Sequence, residues 1–158
     1  MNEIEIVAIG SEILAGFTVN TNASFISKKL FDAGIPTARH TVIPDRKEAI
    51  KEAFLTALKR SRFVIVTGGL GPTVDDITRS VAAEIFDSPM EYSADLAKKL
   101  LERYGNRNIS VEDQATVPRK AELIENTLGS ASGLIFSEGN ATLFLLPGVP
   151  PEMKKMFE

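Results

Sequence analysis

The sequence predicts an α/β protein with a mostly parallel sheet, helices on both sheet faces and an antiparallel hairpin near the C-terminus. Three observations carry this. Strand and helix patterns alternate through the first 90 residues, as βαβ units require. The β-branched run Phe63-Val64-Ile65-Val66 breaks into Thr67-Gly68-Gly69-Leu70-Gly71-Pro72-Thr73-Val74-Asp75-Asp76, which feeds a helical pattern. Later, Gly133 to Phe136 and Thr142 to Leu145 flank a Glu138-Gly139-Asn140 turn.

In chain order, Ile4 to Ile9 reads as a buried strand ending in Gly10-Ser11-Glu12. A helix follows a short loop. Asn20, Thr21 and Asn22 are its candidate N-caps, Ile26, Leu30 and Ala33 share one face, and Gly34 suits the residue after the C-cap. Thr37 to Ile43 is a second strand. Asp45 and Glu48 form an Asp-x-x-Glu capping pattern opening a helix whose stripe is Ile50, Ala53, Phe54, Ala57 and Leu58. After the glycine turn, Ile77, Val81 and Ile85 mark a helix. Another starts near Ser93 and carries Leu96, Leu100, Leu101 and Tyr104 before Gly105. A short helix is expected around Val111 to Thr116 and a strand over Ala121 to Ile124. Pro150 and Pro151 suit a helical first turn.

Composition narrows the function. The chain has 158 residues, 44% apolar and 25% charged, which fits one globular domain. Its net charge of −3 gives no basic excess for nucleic acid. No apolar run reaches the ~18–20 residues that span a bilayer, and the N-terminus shows no signal-peptide pattern. With no cysteine and one histidine, disulfides, thiolate nucleophiles and Cys/His zinc sites are excluded. The expectation is a cytoplasmic protein acting on a small molecule, without nucleic acid or membrane as partner. The chain stops soon after its final helix begins, so the domain is expected to be the N-terminal part of a longer protein.

Open α/β sheets bind ligands at the carboxyl ends of their strands. Gly10-Ser11-Glu12, Asp45 and the glycine turn all follow expected strands, so they are expected to converge on one edge. A glycine turn leading into a helix presents backbone N–H groups to anionic oxygens. The turn is not a Walker A loop, because Pro72-Thr73 stands where Lys-Ser/Thr is needed, nor a dinucleotide fingerprint, because Val74 takes the third glycine position. The same glycines also suit a plain strand-to-helix turn. Asp75 and Asp76 suit either helix capping or a divalent cation. Glu12 reads as a ligand or an acidic loop start, and His40 as a structural or surface residue.

Four blocks carry a resemblance. They are Gly10-Ser11-Glu12-Ile13-Leu14-x-Gly16; Asn20-Thr21-Asn22; Thr67-Gly68-Gly69-Leu70-Gly71-Pro72-Thr73-x-Asp75-Asp76; and Leu146-Pro147-Gly148-Val149-Pro150-Pro151-Glu152-Met153. Together they resemble the N-terminal domain of the competence/damage-inducible CinA family, itself similar to the molybdopterin-binding domain of MoaB and MogA proteins. The resemblance implies a three-layer αβα fold and a homo-oligomer. It places the adenylylation-site aspartates of the molybdopterin enzymes on Asp45 and Asp76. Asp75, commonly arginine in the MogA branch, favours the CinA branch. Two stretches depart from the family pattern. Asp113-Gln114-Ala115 stands where Lys-Gln-Ala is frequent, and Gly129-Ser130-Ala131-Ser132-Gly133 stands where Gly-Thr-Ala-Pro-Gly is usual. The first is expected to alter affinity or substrate choice, the second to loosen a proline-set turn.

For the CinA branch the resemblance implies metal-dependent hydrolysis of the pyrophosphate of ADP-ribose or a related nucleotide. Asp76 and Asp45 are the expected catalytic residues. Asp75 and Asp76 are the expected ligands of a divalent ion: Mg, Mn or Co. Phosphate and substrate contacts are expected from Gly10, Ser11, Glu12, Asn20, Thr67, Gly68, Gly69, Gly71, Pro72, Thr73, Thr78, Pro147 and Gly148. The alternatives are a molybdopterin- or nucleotide-binding module without turnover, and pterin adenylylation. The partner is a nucleotide diphosphate or a pterin in each case.

Overall fold

A computed structural model of the chain describes residues 4–71, 73, 76–105 and 109–158. Strand β1 (Ile4–Ile9) is buried along its whole length, as a central strand covered on both faces must be. A one-turn helix, α1 (Ser11–Leu14), follows at once where a loop was expected. Helix α2 (Thr21–Asp32) takes Asn20 as its N-cap: the Asn20 side chain accepts from the Ala23 N–H at 3.1 Å. Strand β2 (Thr37–Ile43) coincides with its expected span.

Helix α3 (Lys47–Arg60) corrects one expectation. Its N-cap residue is Arg46 and no side chain caps it. The Asp45 carboxylate instead accepts from the Ser11 N–H, so the Asp45–Glu48 capping pair does not form. Strand β3 (Phe63–Thr67) then leads through the glycine turn to α4 (Thr78–Ile85). Next come β4 (Met90–Tyr92), α5 (Ala94–Tyr104), α6 (Val111–Ala115) and β5 (Thr116–Pro118). Strands β4 and β5 form a separate antiparallel pair that the sequence reading missed; at three residues each they are too short to show a period. Strands β6 (Glu122–Ile124), β7 (Gly133–Glu138) and β8 (Ala141–Leu146) precede α7 (Pro150–Phe157), which has proline in its first turn as expected.

The main sheet has six strands in the order β2-β1-β3-β8-β7-β6. The first four run parallel, while β7 is antiparallel to both β8 and β6. Alternation along each strand divides the core in two. Val7, Ile9, Val64, Val66, Leu143 and Leu145 meet α3 and α4 through Ile50, Phe54, Val81 and Ala82. Ile4, Ile6, Ile65 and Leu146 meet α2 and α7 through Ala23, Ile26 and Met153. This is the three-layer αβα architecture. Each fully buried Ile, Phe or Leu contributes about 1.5–3 kcal/mol by leaving water. Among the described residues no helix is long and apolar enough to cross a membrane.

Among the described residues one charged side chain is buried inside the frame. Glu5 on β1 is 1% exposed, and its carboxylate accepts from Arg60 Nε at 2.9 Å, Arg60 Nη2 at 2.6 Å and Thr41 Oγ1 at 2.9 Å. Burial pushes the Glu5 carboxyl upward; the Arg60 and Thr41 hydrogen bonds and the Arg60 charge outweigh it, leaving the group below its ordinary 4.5. The pair fastens the end of α3 to the central strand.

Candidate functional site

Successive connections leave β1 in opposite directions: β2 lies on one side and β3 on the other. This switch opens a crevice at the carboxyl ends of β1 and β3. The loops there touch. Gly68 takes φ +108°, and a Cβ on it would stand 2.5 Å from the Ile9 carbonyl oxygen. Its N–H donates to the Leu146 carbonyl at 3.0 Å. A side chain at 68 is excluded twice, by conformation and by the neighbouring strand end.

The crevice is a cleft of about 510 Å³. Of the residues expected to form a site, Glu12, Asn20, Asp45, Thr67, Gly68, Gly69, Gly71, Asp76, Pro147 and Gly148 line it. The three loops expected to converge do so, and the loop after β8, with Pro147 and Gly148, joins them as a fourth. Gly10 and Ser11 do not line it: Gly10 is buried and its N–H donates to the Ile43 carbonyl at 3.0 Å, while the exposed Ser11 gives its N–H to Asp45 Oδ2 at 2.8 Å. Pro72 and Asp75 lie outside the described residues.

Two threonines have a different place from the one expected. Thr78 is fully buried; its hydroxyl donates to the Gly68 carbonyl at 3.1 Å and its N–H to the Gly69 carbonyl at 3.2 Å. It shapes the turn from below. Thr73 donates to Asp76 Oδ2 through its N–H at 2.9 Å and its hydroxyl at 2.5 Å. The Asp76 carboxylate thus closes its own loop while facing the cleft. Burial draws the Arg79 guanidinium below its ordinary 12.5, and the Asp113 and Asp76 carboxylates act against that. Asp113, one of the departures from the family pattern, therefore has a cation to answer it within the fold.

The sequence reading did not place four of the lining residues in the site: Asn22, Ser130, Ala131 and Glu152. Asn22 lines the cleft and is 7% exposed; its Nδ2 donates to the Gly148 carbonyl at 2.9 Å, while its Oδ1 has no partner among the described residues. Ser130 and Ala131 form a wall from the loop before β7. Glu152 enters from the first turn of α7. Asn22 was weighed as a cap and as part of a motif, and Glu152 only as part of a motif, because the signal for both as lining residues is three-dimensional.

The charge of the lining is one-sided. Glu12, Asp45, Asp76 and Glu152 supply four carboxylates, and no Lys or Arg is among the described lining residues. Phosphate oxygens entering such a cleft meet N–H donors at the turn and repulsion elsewhere, which a hard divalent cation offsets. An all-oxygen donor set suits Mg or Mn by its chemistry. No group of three or more acidic or histidine side chains poised for a metal occurs among the described residues. Mg ordinarily takes one or two carboxylates and completes its shell with water and phosphate.

The fold and cleft define a MoaB/Mog-type domain. The family profile described as "Probable molybdopterin binding domain" matches residues 5–158, and the chain belongs to that family. Within it, the chain belongs to the CinA-like group. The structure of the protein CinA from Thermoplasma acidophilum is 36% identical, with a TM-score of 0.90, over 98% of this chain and 93% of that one. A CinA-like protein from Dictyoglomus thermophilum is 40% identical over 98% of this chain. The chain spans 38% of that relative's length. The structure of the molybdopterin biosynthesis enzyme MoaB from Thermus thermophilus shares the fold at 21% identity, with a TM-score of 0.66, over 100% of this chain and 88% of that one.

Proposed function

We propose that this domain binds a phosphorylated pterin or nucleotide in the cleft between β1 and β3, its phosphate on the N–H groups of Gly69 to Gly71, since the Gly68 N–H is taken by the Leu146 carbonyl. The single observation that carries this reading is the convergence of four strand-end loops on one cleft at the switch point of the sheet. A divalent cation accompanies the ligand, because four carboxylates line the cleft, no Lys or Arg is among its described lining residues, and Arg79 answers Asp76 alone of the four. When bound, it neutralises phosphate charge and polarises the phosphorus centre. The test is an equilibrium titration with ADP-ribose and with a phosphorylated pterin, each with and without Mg. Binding that strengthens with Mg supports the reading; no binding of either ligand under any condition overturns it.

Hydrolysis of the ADP-ribose pyrophosphate is the second reading. It is favoured by the presence of Asp45 and Asp76 on the same cleft as the glycine turn. Water would add to one phosphorus, the bridging P–O bond would break, and AMP and ribose 5-phosphate would leave. Asp76 is the expected residue nearest this chemistry, its carboxylate oriented by Thr73. AMP release measured with Mg, Mn and Co separately tests the reading. Release from the wild type that falls at least ~100-fold in Asp76→Asn supports it, at the scale of a lost transition-state contact. Tight binding without release for any ion leaves the domain a binding module.

A further inference from the structure

Glu152 is held in the cleft by two independent features. The buried Asn126, 5% exposed, donates from Nδ2 to Glu152 Oε2 at 2.8 Å. The rest of that amide is fully engaged. Nδ2 also donates to the Ala131 carbonyl at 3.0 Å, and Oδ1 accepts from the N–H groups of Leu128 at 3.0 Å and Gly129 at 2.7 Å. Asn126 therefore cannot turn without breaking the loop that forms the cleft wall. The second feature is Gly129 itself: a Cβ there would overlap the Glu152 carboxylate. The loop is glycine where the acid packs against it.

A carboxylate accepts hydrogen bonds and donates none. Held rigidly in a cleft that takes phosphate, it repels phosphate and attracts O–H and N–H donors. Asn22 lines the same cleft, and its buried Oδ1, an acceptor without a partner among the described residues, has the same preference. The cleft thus has two chemical ends: N–H donors at Gly69 to Gly71, and acceptors contributed by α2 and α7.

We infer that Glu152 selects the organic half of the ligand, accepting hydrogen bonds from a neighbouring pair of donors while the phosphate rests on the glycine turn. A ribose diol and the amino/N–H edge of a pterin both present such a pair. Carboxylate recognition of ribose hydroxyls and of base amino groups is ordinary chemistry. The inference rests on the proposed phosphate site, and it states what that site rejects: inorganic pyrophosphate, which lacks the donor pair.

The test compares dissociation constants for ADP-ribose, a phosphorylated pterin and inorganic pyrophosphate, all with Mg. Glu152→Gln keeps the shape, lets an amide oxygen accept from Asn126 and presents a donor where the acceptor stood. It is expected to weaken the preferred organic ligand about 10–100-fold, the scale of a lost charge-assisted hydrogen bond, and to leave pyrophosphate binding equal or tighter. Gly129→Ala leaves the acid's chemistry intact but displaces it, and is expected to lower the same selectivity ratio. Which organic ligand loses affinity tells a sugar reader from a heterocycle reader. Equal weakening of all three ligands in Glu152→Gln overturns the inference and makes the acid a structural or metal-holding group. A wild type that binds pyrophosphate as tightly as the organic ligands also overturns it. Failure of all three ligands to bind the wild type overturns the phosphate site beneath it.

Discussion

Ser11 and Asp45 are joined across two strand ends: the Ser11 N–H donates to Asp45 Oδ2 at 2.8 Å, and the Asp45 N–H donates to Ser11 Oγ at 3.4 Å. This exchange links the loops after β1 and β2 and turns the Asp45 carboxylate away from the helix it was expected to cap. Its position on the cleft wall follows from that choice of partner.

Asp45→Ala is expected to separate the two loops with little loss of stability, below about 1 kcal/mol, since the freed Ser11 N–H is exposed and water replaces its acceptor. Ligand affinity is expected to fall far more than thermal stability. Parallel denaturation and titration curves check this; a large stability loss with unchanged affinity contradicts it.

Gly68→Ala tests the turn. The substitution places a Cβ 2.5 Å from the Ile9 carbonyl oxygen at φ +108°. Strain of this kind costs on the order of 1–3 kcal/mol. The expected outcome is a lower melting temperature together with loss of phosphate binding, because the N–H groups of the turn are displaced. An unchanged melting temperature contradicts the assigned backbone.

Acid is expected to act through two carboxylates. Glu5 lies below its ordinary 4.5 in the fold, and Glu84 is lowered to about 2 by its hydrogen bonds and charge contacts with Lys47 and Lys51. A carboxyl lowered by folding contributes fully above its unfolded value and loses that contribution as pH falls through its folded one. The gap in stability between wild type and Glu5→Gln is therefore expected to be on the order of 2 kcal/mol near neutrality, from the lost charge-assisted bonds. It should close as pH drops below 4.5. Glu84→Gln should flatten the curve between 4.5 and about 2. Denaturation midpoints across this range check both; a gap independent of pH contradicts the assignment.

The frame was legible because its signals are local. β1 and β2 begin and end where apolar and β-branched runs do, and α7 begins at its two prolines. The convergence of Glu12, Asp45 and Gly68 was legible too, because position after a parallel strand fixes the sheet edge. What escaped depends on choices between partners. Asp45 had two donors within reach, the end of its own helix and the Ser11 N–H, and only the folded chain shows that Ser11 has it. Thr78 looked like a phosphate donor because its hydroxyl follows the turn, yet that hydroxyl meets the Gly68 carbonyl first. Glu152 was invisible as a site residue because Asn126, which holds it, lies 26 positions away.

Amide hydrogen exchange on the wild type, with and without ADP-ribose and Mg, is the most direct test of where the ligand sits. Slowed exchange at Gly69 to Gly71, with change at the Asn20 end of α2, is the predicted result. Protection elsewhere, for example at Lys59 to Arg62 on the opposite edge of the sheet, with the glycine turn unaffected, would contradict the account.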